Sequence, residues 1–256
     1  MIKRIMTDVD VKAGIQQILK WVDAAYEQRP KELKGDKPLL VAVSKTKPVE
    51  MIIDAYSVGQ RHFGENYVQE LVEKSQHPDI LAQCPDIKWH FIGHLQTNKI
   101  NKIIKLPNMH MVQTVDSEKL ANNLNSAWQK FEKENKQPLN VLIQINTSGE
   151  EAKNGVAPSD APKLYKYIKE NLKELNLNGI MTIGAFGHDY SKGPNPDFIS
   201  LMQVHKQICE ENQLNEKDVQ VSMGMSDDFE KAIEMGSTIV RVGSSIFGYR
   251  AKKPSA

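Results

Sequence analysis

Short apolar runs alternate with helical patterns along most of this chain. The first run, residues 39–44, has five consecutive apolar residues before a serine, the pattern of a strand buried on both faces. Pro48 follows, and Val49, Ile52 and Ile53 then recur at helical spacing, which predicts an amphipathic helix. The predicted strands are residues 39–44, 61–64, 88–93, 109–115, 140–146, 177–183, 219–223 and 238–243.

The alternation of strands and helices predicts a closed parallel (β/α)8 barrel, or TIM barrel. An open doubly wound sheet is the alternative, and it fits less well because no Gly-x-Gly-x-x-Gly follows the first strand. An extra amphipathic helix is predicted at residues 8–28, before the first strand. We therefore expect one α/β domain over residues 1–256, with its barrel core at about 39–250.

Composition and charge narrow the function classes. The 256 residues include 33 basic and 32 acidic side chains, a net charge of +1, which gives no bulk attraction to nucleic acid or to an anionic membrane. Two cysteines are too few for a disulfide framework and indicate a reducing compartment. The sequence shows neither a membrane-spanning apolar run nor a signal-peptide core. We expect a cytoplasmic protein, with a mitochondrial share left open.

Lys45 is placed where the first buried strand gives way to the loop before a helix. It is in register with Val41 and Val43 and continues their face of the strand, whereas Lys47 lies further along the loop. That end of the strands is where barrels of this type carry out chemistry. A solvated loop lysine is the alternative interpretation of Lys45.

Arg241 lies among β-branched residues in the eighth predicted strand. A buried guanidinium needs a partner, which is either a structural salt bridge or backbone carbonyl, or a ligand at the open end of the barrel. The adjoining Gly243 and Ser244, with Ser226 in the preceding loop, follow strands seven and eight, the usual phosphate site of this barrel. Ser226 is also predicted to cap a helix over residues 226–235.

Other polar positions near strand ends leave two interpretations open. Asn66 follows the second strand, His90 lies in the third, and Gln144 and Asn146 share a face of the fifth. They line the barrel mouth, or His90 is a core residue and the two amides satisfy one another. We find no Ser-His-Asp order, paired carboxylates or metal-ligand spacing, and predict no metal site.

A lysine at one strand end, a phosphate site opposite and a buried arginine are together what pyridoxal 5′-phosphate (PLP) needs. The lysine amine forms a Schiff base with the cofactor's aldehyde once desolvation lowers its pKa. Backbone amides and serine hold the phosphate. An arginine beside the pyridine nitrogen keeps that nitrogen unprotonated, because arginine does not release its proton, and the ring is then a poorer electron sink.

Six motifs occur in order and resemble the pyridoxal phosphate homeostasis protein family, once called proline synthetase co-transcribed homologues. The resemblance covers about residues 39–250, and the loop at 184–198 resembles the animal branch. The motifs are Val-Ser-Lys-Thr-Lys-Pro (43–48), Phe-Gly-Glu-Asn-Tyr-Val-Gln-Glu (63–70), Trp-His-Phe-Ile-Gly-His-Leu-Gln-Thr-Asn-Lys (89–99), Gln-Ile-Asn-Thr-Ser-Gly-Glu-Glu (144–151), Ser-Met-Gly-Met-Ser-Asp-Asp-Phe (222–229) and Val-Arg-Val-Gly-Ser-Ser-Ile-Phe-Gly (240–248).

The resemblance implies a barrel like the N-terminal domain of alanine racemase, with PLP on the lysine of the first motif. It also implies a non-catalytic protein that binds the cofactor and delivers it to apo PLP-dependent enzymes, and we expect a monomer. We expect no counterpart of the racemase's second domain, which carries its catalytic tyrosine. The implied cofactor-binding residues are Lys45, Asn66, Ser226, Arg241, Gly243 and Ser244.

Two other functions remain as alternatives at this point. One is a weak PLP-dependent amino-acid racemase that uses Lys45 as its only base. The other is an aldolase-like barrel that forms a Schiff base on Lys45 without the cofactor, and it leaves Arg241 unexplained.

Overall fold

Eight parallel strands close into a barrel in chain order. A computed structural model describes residues 9–132, 134 and 136–249 of the chain. The first and last strands pair from Leu39 with Ile239 to Ala42 with Val242, which closes the sheet. This confirms the predicted (β/α)8 architecture. The strands are β1 Leu39–Val43, β2 His62–Glu65, β3 Lys88–Phe91, β4 Met109–Val115, β5 Leu139–Gln144, β6 Leu175–Met181, β7 Gln220–Ser222 and β8 Ile239–Val242.

The helices follow the predicted alternation, with local differences in the short helices. A six-residue helix, α4, and a four-residue helix, α10, were not predicted because such short segments carry no readable periodicity. The helix predicted over residues 96–105 is a 3₁₀ turn followed by the short α5. The helices are α1 Val11–Gln28, α2 Val49–Ser57, α3 Val68–Ser75, α4 Pro78–Gln83, α5 Ile100–Ile103, α6 Glu118–Lys130, α7 Ala161–Asn171, α8 Pro196–Asn212, α9 Phe229–Glu234 and α10 Ser244–Phe247.

The extra helix before the barrel is α1, and it packs against α2, α9 and α10. Asp10 caps it by accepting a hydrogen bond of 2.9 Å from the backbone N–H of Ala13. A Cβ on Gly14 would lie only 3.1 Å from the carbonyl oxygen of Ile246, so the small residue permits close contact with α10. The predicted limits at Asp8 and Arg250 lie outside the described residues. None of the described helices has the length and apolarity needed to cross a membrane.

Most of the apolar core lies between the strands and the surrounding helices. A smaller apolar cluster fills the barrel itself, and its buried members are Val41, Met111, Leu142, Met181 and Ile239. Buried polar side chains share this interior, among them His90, Gln113, Ser222 and Arg241. Because buried polar groups need hydrogen-bond partners, these residues are expected to bond to one another across the barrel.

Candidate functional site

A cavity of about 710 Å³ opens at the carboxyl ends of the strands, and all six residues of the predicted site lie on it. This is the end at which (β/α)8 enzymes place their active sites. The cavity is lined by Val43, Lys45, Thr46, Lys47, Asn66, Ile92, Ile183, Phe186, Met225, Ser226, Asp227, Arg241, Gly243, Ser244, Gly248 and Tyr249.

Lys45 is half-buried in a tight turn directly after β1. The next residue, Thr46, has a φ of 63°, in the left-handed region that non-glycine residues seldom adopt. Its backbone N–H donates to the carboxylate of Glu70, and the N–H of Lys47 donates to the carbonyl of Ser44 at 3.1 Å. Strained backbone of this kind persists only where the surroundings hold it, and it is concentrated at functional sites.

A buried ionic network lies directly under this turn. The Lys74 ammonium on α3 donates to the carbonyl oxygen of Ser44 at 2.7 Å, and it pairs with Glu65 and Glu70 at 2.8 Å each. The Ser44 hydroxyl donates to Glu65 at 2.6 Å. Burial raises the pKa of Glu65, and Lys74 and the Ser44 hydroxyl act in the opposite direction. The network therefore anchors the residue that precedes Lys45.

Sequence reasoning missed this network. Its one local signal is the spacing of Glu70 and Lys74, which are four positions apart on one helix face. Such a spacing ordinarily indicates an exposed surface pair. Only the barrel brings Glu65 and Ser44 onto the same ammonium.

Asn66 follows β2, lines the cavity and has a buried polar atom without a partner among the described residues. Its side-chain oxygen Oδ1 is buried and accepts no hydrogen bond from any described residue. The backbone of Asn66 packs tightly against Gly93, where an added Cβ would stand 2.0 Å from the Asn66 carbonyl oxygen. A buried acceptor of this kind is stabilised by a donor, which a ligand in the cavity can supply.

Arg241 is buried and reaches across the barrel to two neighbours. Its Nη1 donates to the Ser222 hydroxyl at 2.6 Å and its Nη2 to the Thr182 carbonyl oxygen at 2.7 Å. Burial lowers the pKa of Arg241 to about 10, with the Asp228 carboxylate acting the other way, so the guanidinium is charged at neutral pH. The two interpretations offered for this arginine are thus compatible, because it bonds to a backbone carbonyl and also lines the cavity.

The residues predicted to form a phosphate site after strands seven and eight lie together on one surface, but one detail of the prediction is wrong. Ser226 does not cap a helix, because α9 begins only at Phe229 after Asp228 has accepted a hydrogen bond from the Met225 N–H at 2.7 Å. The Ser226 hydroxyl instead accepts from the N–H of Gly243 at 3.2 Å. Two loops are thereby joined, and the Ser226 hydroxyl proton is available to an anion.

Ser244 begins the short helix α10 directly after Gly243. The N–H groups at the start of a helix have no acceptor within the helix, so those of Ser244 and Ser245 can bind a ligand oxygen. A Cβ on Gly243 would stand 3.2 Å from the carbonyl oxygen of Val43 on β1. The glycine therefore brings this loop close to the strand that precedes Lys45.

Lys47 also lies on the cavity, which its sequence position as a loop residue did not indicate. Its ammonium donates to the carbonyl oxygens of Gly248 and Tyr249 at 2.8 and 3.2 Å. These hydrogen bonds connect the turn that carries Lys45 and Lys47 to the segment after α10, which forms part of the cavity wall.

The remaining polar candidates lie away from the cavity. Gln144 donates to the carbonyl of Lys153 at 2.8 Å and Asn146 to that of Glu150 at 2.9 Å, so each stabilises its own loop and they do not pair with each other. His90 is fully buried inside the barrel and bonds to His62 and Gln113, as the core interpretation predicted.

A family model and a curated relative both match nearly the whole of this chain. Residues 26–251 match the family model described as alanine racemase, N-terminal domain. The mouse protein named pyridoxal phosphate homeostasis protein is 51% identical over 250 residues, which cover 97% of this chain and 90% of that protein.

Solved structures show the same relationship. PipY of Synechococcus elongatus, solved with PLP bound and without PLP, is 30% identical, with TM-scores of 0.71 and 0.74; the match covers 91% of this chain and 100% of PipY. Alanine racemase of Enterococcus faecalis shares the fold alone. That enzyme is 18% identical with a TM-score of 0.62, and the match covers 94% of this chain and 59% of the racemase.

Proposed function

The chain belongs to the pyridoxal phosphate homeostasis protein family, and on that premise we propose that it binds PLP in the described cavity and holds it as a Schiff base on Lys45. We propose further that it takes part in PLP homeostasis without substantial catalysis of its own. The observation that carries the proposal is that Lys45, the Ser226–Gly243–Ser244 surface and Arg241 all lie on one cavity of about 710 Å³.

The residues present fit this cofactor. Asn66 Oδ1 is a buried acceptor without a partner among the described residues, and a donor on a polar ligand would satisfy it. The Ser226 hydroxyl and the N–H groups of Ser244 and Ser245 form a set of donors suited to a phosphate. When bound, PLP supplies an aldehyde that condenses with a lysine amine and a ring that withdraws electrons.

Arg241 limits how strongly a bound PLP ring could withdraw electrons. Its guanidinium only donates and remains charged at neutral pH, so a ring nitrogen beside it stays unprotonated and the ring withdraws electrons weakly. Racemisation also needs proton donors and acceptors on both faces of the substrate carbon. The cavity's described phenol, Tyr249, is 85% exposed to solvent, and the mouse relative is named as a homeostasis protein.

We expect the purified protein, incubated with PLP, to show the visible absorption of a protonated Schiff base, and Lys45→Ala to abolish it. The matched control is Lys47→Ala, which removes the other lysine of the same turn and should keep the band. Thermal unfolding of each variant establishes that it is folded. A band that persists in Lys45→Ala, or disappears only in Lys47→Ala, would contradict the assignment.

The absence of substantial catalysis is tested by deuterium exchange at the α-carbon of added amino acids. We expect exchange no faster than with free PLP at the same concentration. Exchange above that level that Lys45→Ala removes would instead support a weak racemase. Activation of an apo PLP-dependent enzyme by the loaded protein tests delivery, and light scattering tests the expected monomer.

Ser226→Ala should weaken PLP binding by about 10- to 150-fold, because a hydrogen bond to a charged group contributes about 1.5–3 kcal/mol. Pyridoxal, which lacks the phosphate, is the control ligand, and its affinity should be unchanged. The measurement is a titration of both ligands followed by absorbance. An equal loss for the two ligands would show that Ser226 acts on the whole cavity and does not bind the phosphate.

A further inference from the structure

Three histidines meet at the opposite end of the barrel from the cavity. His62 begins β2, His90 lies in β3 and His110 lies near the start of β4; we call them the histidine cluster. One ring nitrogen from each residue lies within 4.8 Å of the others. Their positions are 28 and 20 residues apart in the sequence, so no local motif reveals them.

The three rings form a nearly equilateral arrangement. Their centroids are 5.1 Å apart for His62 and His90, 5.2 Å for His62 and His110, and 5.1 Å for His90 and His110. Metal–nitrogen bonds of about 2.0–2.1 Å at tetrahedral angles would place three imidazole centroids about 5 Å apart. The rings therefore already have the spacing of three ligands around one ion.

Access is also suitable. His90 is fully buried, whereas His62 and His110 are half-exposed, so an ion can enter from solvent and be held by a ligand in the barrel interior. An imidazole nitrogen binds a metal ion when the ring is neutral.

We infer that the histidine cluster is a binding site for a divalent transition-metal ion of the Zn²⁺ class, with three imidazole ligands and a remaining position for water. Imidazole nitrogen is a suitable ligand for zinc, copper, nickel and iron, and less so for magnesium or calcium. Three histidines and a water are also an established zinc coordination set.

A chain of hydrogen bonds joins the cluster to Arg241 in the cavity. Arg241 donates to Ser222 at 2.6 Å, Ser222 donates to Gln113 Oε1 at 2.8 Å, and Gln113 Nε2 lies 2.9 Å from His90 Nδ1. His90 Nε2 lies 2.8 Å from His62 Nδ1. Because arginine can only donate, every bond in this chain has the same direction, away from Arg241. Gln113 Nε2 therefore donates to His90 Nδ1, and the proton of His90 is on Nε2, from which it is donated to His62.

Metal binding through His90 Nε2 would reverse part of this chain. The His90 proton must then move from Nε2 to Nδ1, where it needs a hydrogen-bond acceptor. Gln113 provides one when its side-chain amide flips, so that Oε1 faces His90. The Gln113 NH₂ group would then face the Ser222 hydroxyl beside Arg241. The ion thus lies in the barrel floor but changes hydrogen bonding up to the edge of the cavity.

The test is calorimetric titration of the untagged, PLP-loaded full chain with ZnCl₂, together with the visible spectrum of its Co²⁺ form. We expect one ion per chain and the intense bands of four-coordinate Co²⁺. Loss of a residue that only hydrogen-bonds to a metal ligand typically weakens metal binding about 10–100-fold. His62→Gln and His110→Gln each remove a ligand itself, so each should weaken binding by at least that factor. Both positions are half-exposed, so these variants are expected to fold.

The matched control is His77→Gln, since His77 forms a surface pair with Asp79 at 3.7 Å and represents weak adventitious binding. It should leave affinity unchanged. Lys88→Gln should tighten binding, because the exposed Lys88 pairs in register with His62 and repels a cation. The inference would be overturned if the wild type showed no saturable binding, or if His62→Gln and His110→Gln bound the ion as tightly as the wild type does.

Discussion

Replacing Lys74 by methionine should lower the free energy of unfolding by about 3–5 kcal/mol at neutral pH, because it leaves a buried carboxylate unpaired. The Lys74 side chain is 7% exposed and that of Glu65 is fully buried. Urea unfolding of the variant and the wild type measures the difference. The turn that carries Lys45 also loses a hydrogen bond to Ser44, so PLP affinity should fall in the same variant.

The loss should depend on pH in a defined direction. Burial raises the pKa of Glu65 and Lys74 is the main influence lowering it, so the folded pKa rises further in Lys74→Met. A carboxyl whose pKa is higher in the folded state stabilises the fold below its unfolded pKa and loses that contribution as pH rises. The loss of unfolding free energy in Lys74→Met, relative to the wild type, should therefore be smaller near about pH 5 than near about pH 8.

A lysine-to-methionine change in an exposed pair is the control. Lys12 and Asp54 lie 3.4 Å apart, with about half of each side chain exposed, and Lys12→Met should change stability by less than about 0.5 kcal/mol. The double variant Lys74→Met, Glu65→Gln should recover part of the loss. Equal stabilities for the two lysine variants would show that the buried network does not support the fold.

Gly93→Ala should destabilise the protein by more than about 3 kcal/mol. An extra methyl group packed among core side chains costs about 1–3 kcal/mol, and here the added group would meet backbone, which cannot rotate away. The added Cβ would stand 2.0 Å from the Asn66 carbonyl oxygen. Gly93 cannot move away freely, because its own carbonyl accepts a 2.7 Å hydrogen bond from the buried Thr114 hydroxyl. Thermal and urea unfolding measure the loss, and PLP titration reports the displacement of Asn66.

Gly35→Ala provides the comparison, because the nearest atoms to its added Cβ are 3.8 Å away on the flexible Lys217 side chain. That change should be neutral or slightly stabilising, since alanine restricts the unfolded chain more than glycine does. Wild-type stability and PLP affinity in Gly93→Ala would show that the contact with Asn66 relaxes without effect.

The sequence predicted those features that interrupt a strong local pattern. Lys45 and Arg241 stand out because each is a charged residue in or next to a run of β-branched and aliphatic residues, and the alternation of such runs with helices predicts the barrel. The proposed roles of these residues with PLP remain predictions. The geometry adds only that they share one cavity.

Other features could not be predicted because they depend on partners from distant strands. Ser226 has the position of a helix cap, but its hydroxyl bonds to Gly243, 17 residues later. Lys74 reaches Ser44, 30 residues earlier, and the histidine cluster joins three strands. Local spacing carries no information on such contacts, and only closure of the barrel brings these residues together.

The pairing of β1 with β8 has a consequence for when the cavity can exist during synthesis. Lys45 follows β1, whereas Arg241, Gly243 and Ser244 belong to or follow β8, and the Lys47 ammonium is bonded to carbonyls 201 and 202 residues away. A ribosome-bound chain that has not yet exposed β8 has the lysine but no opposite wall. The proposed capture of PLP therefore requires the completed chain, and nascent fragments should draw no PLP from the cell.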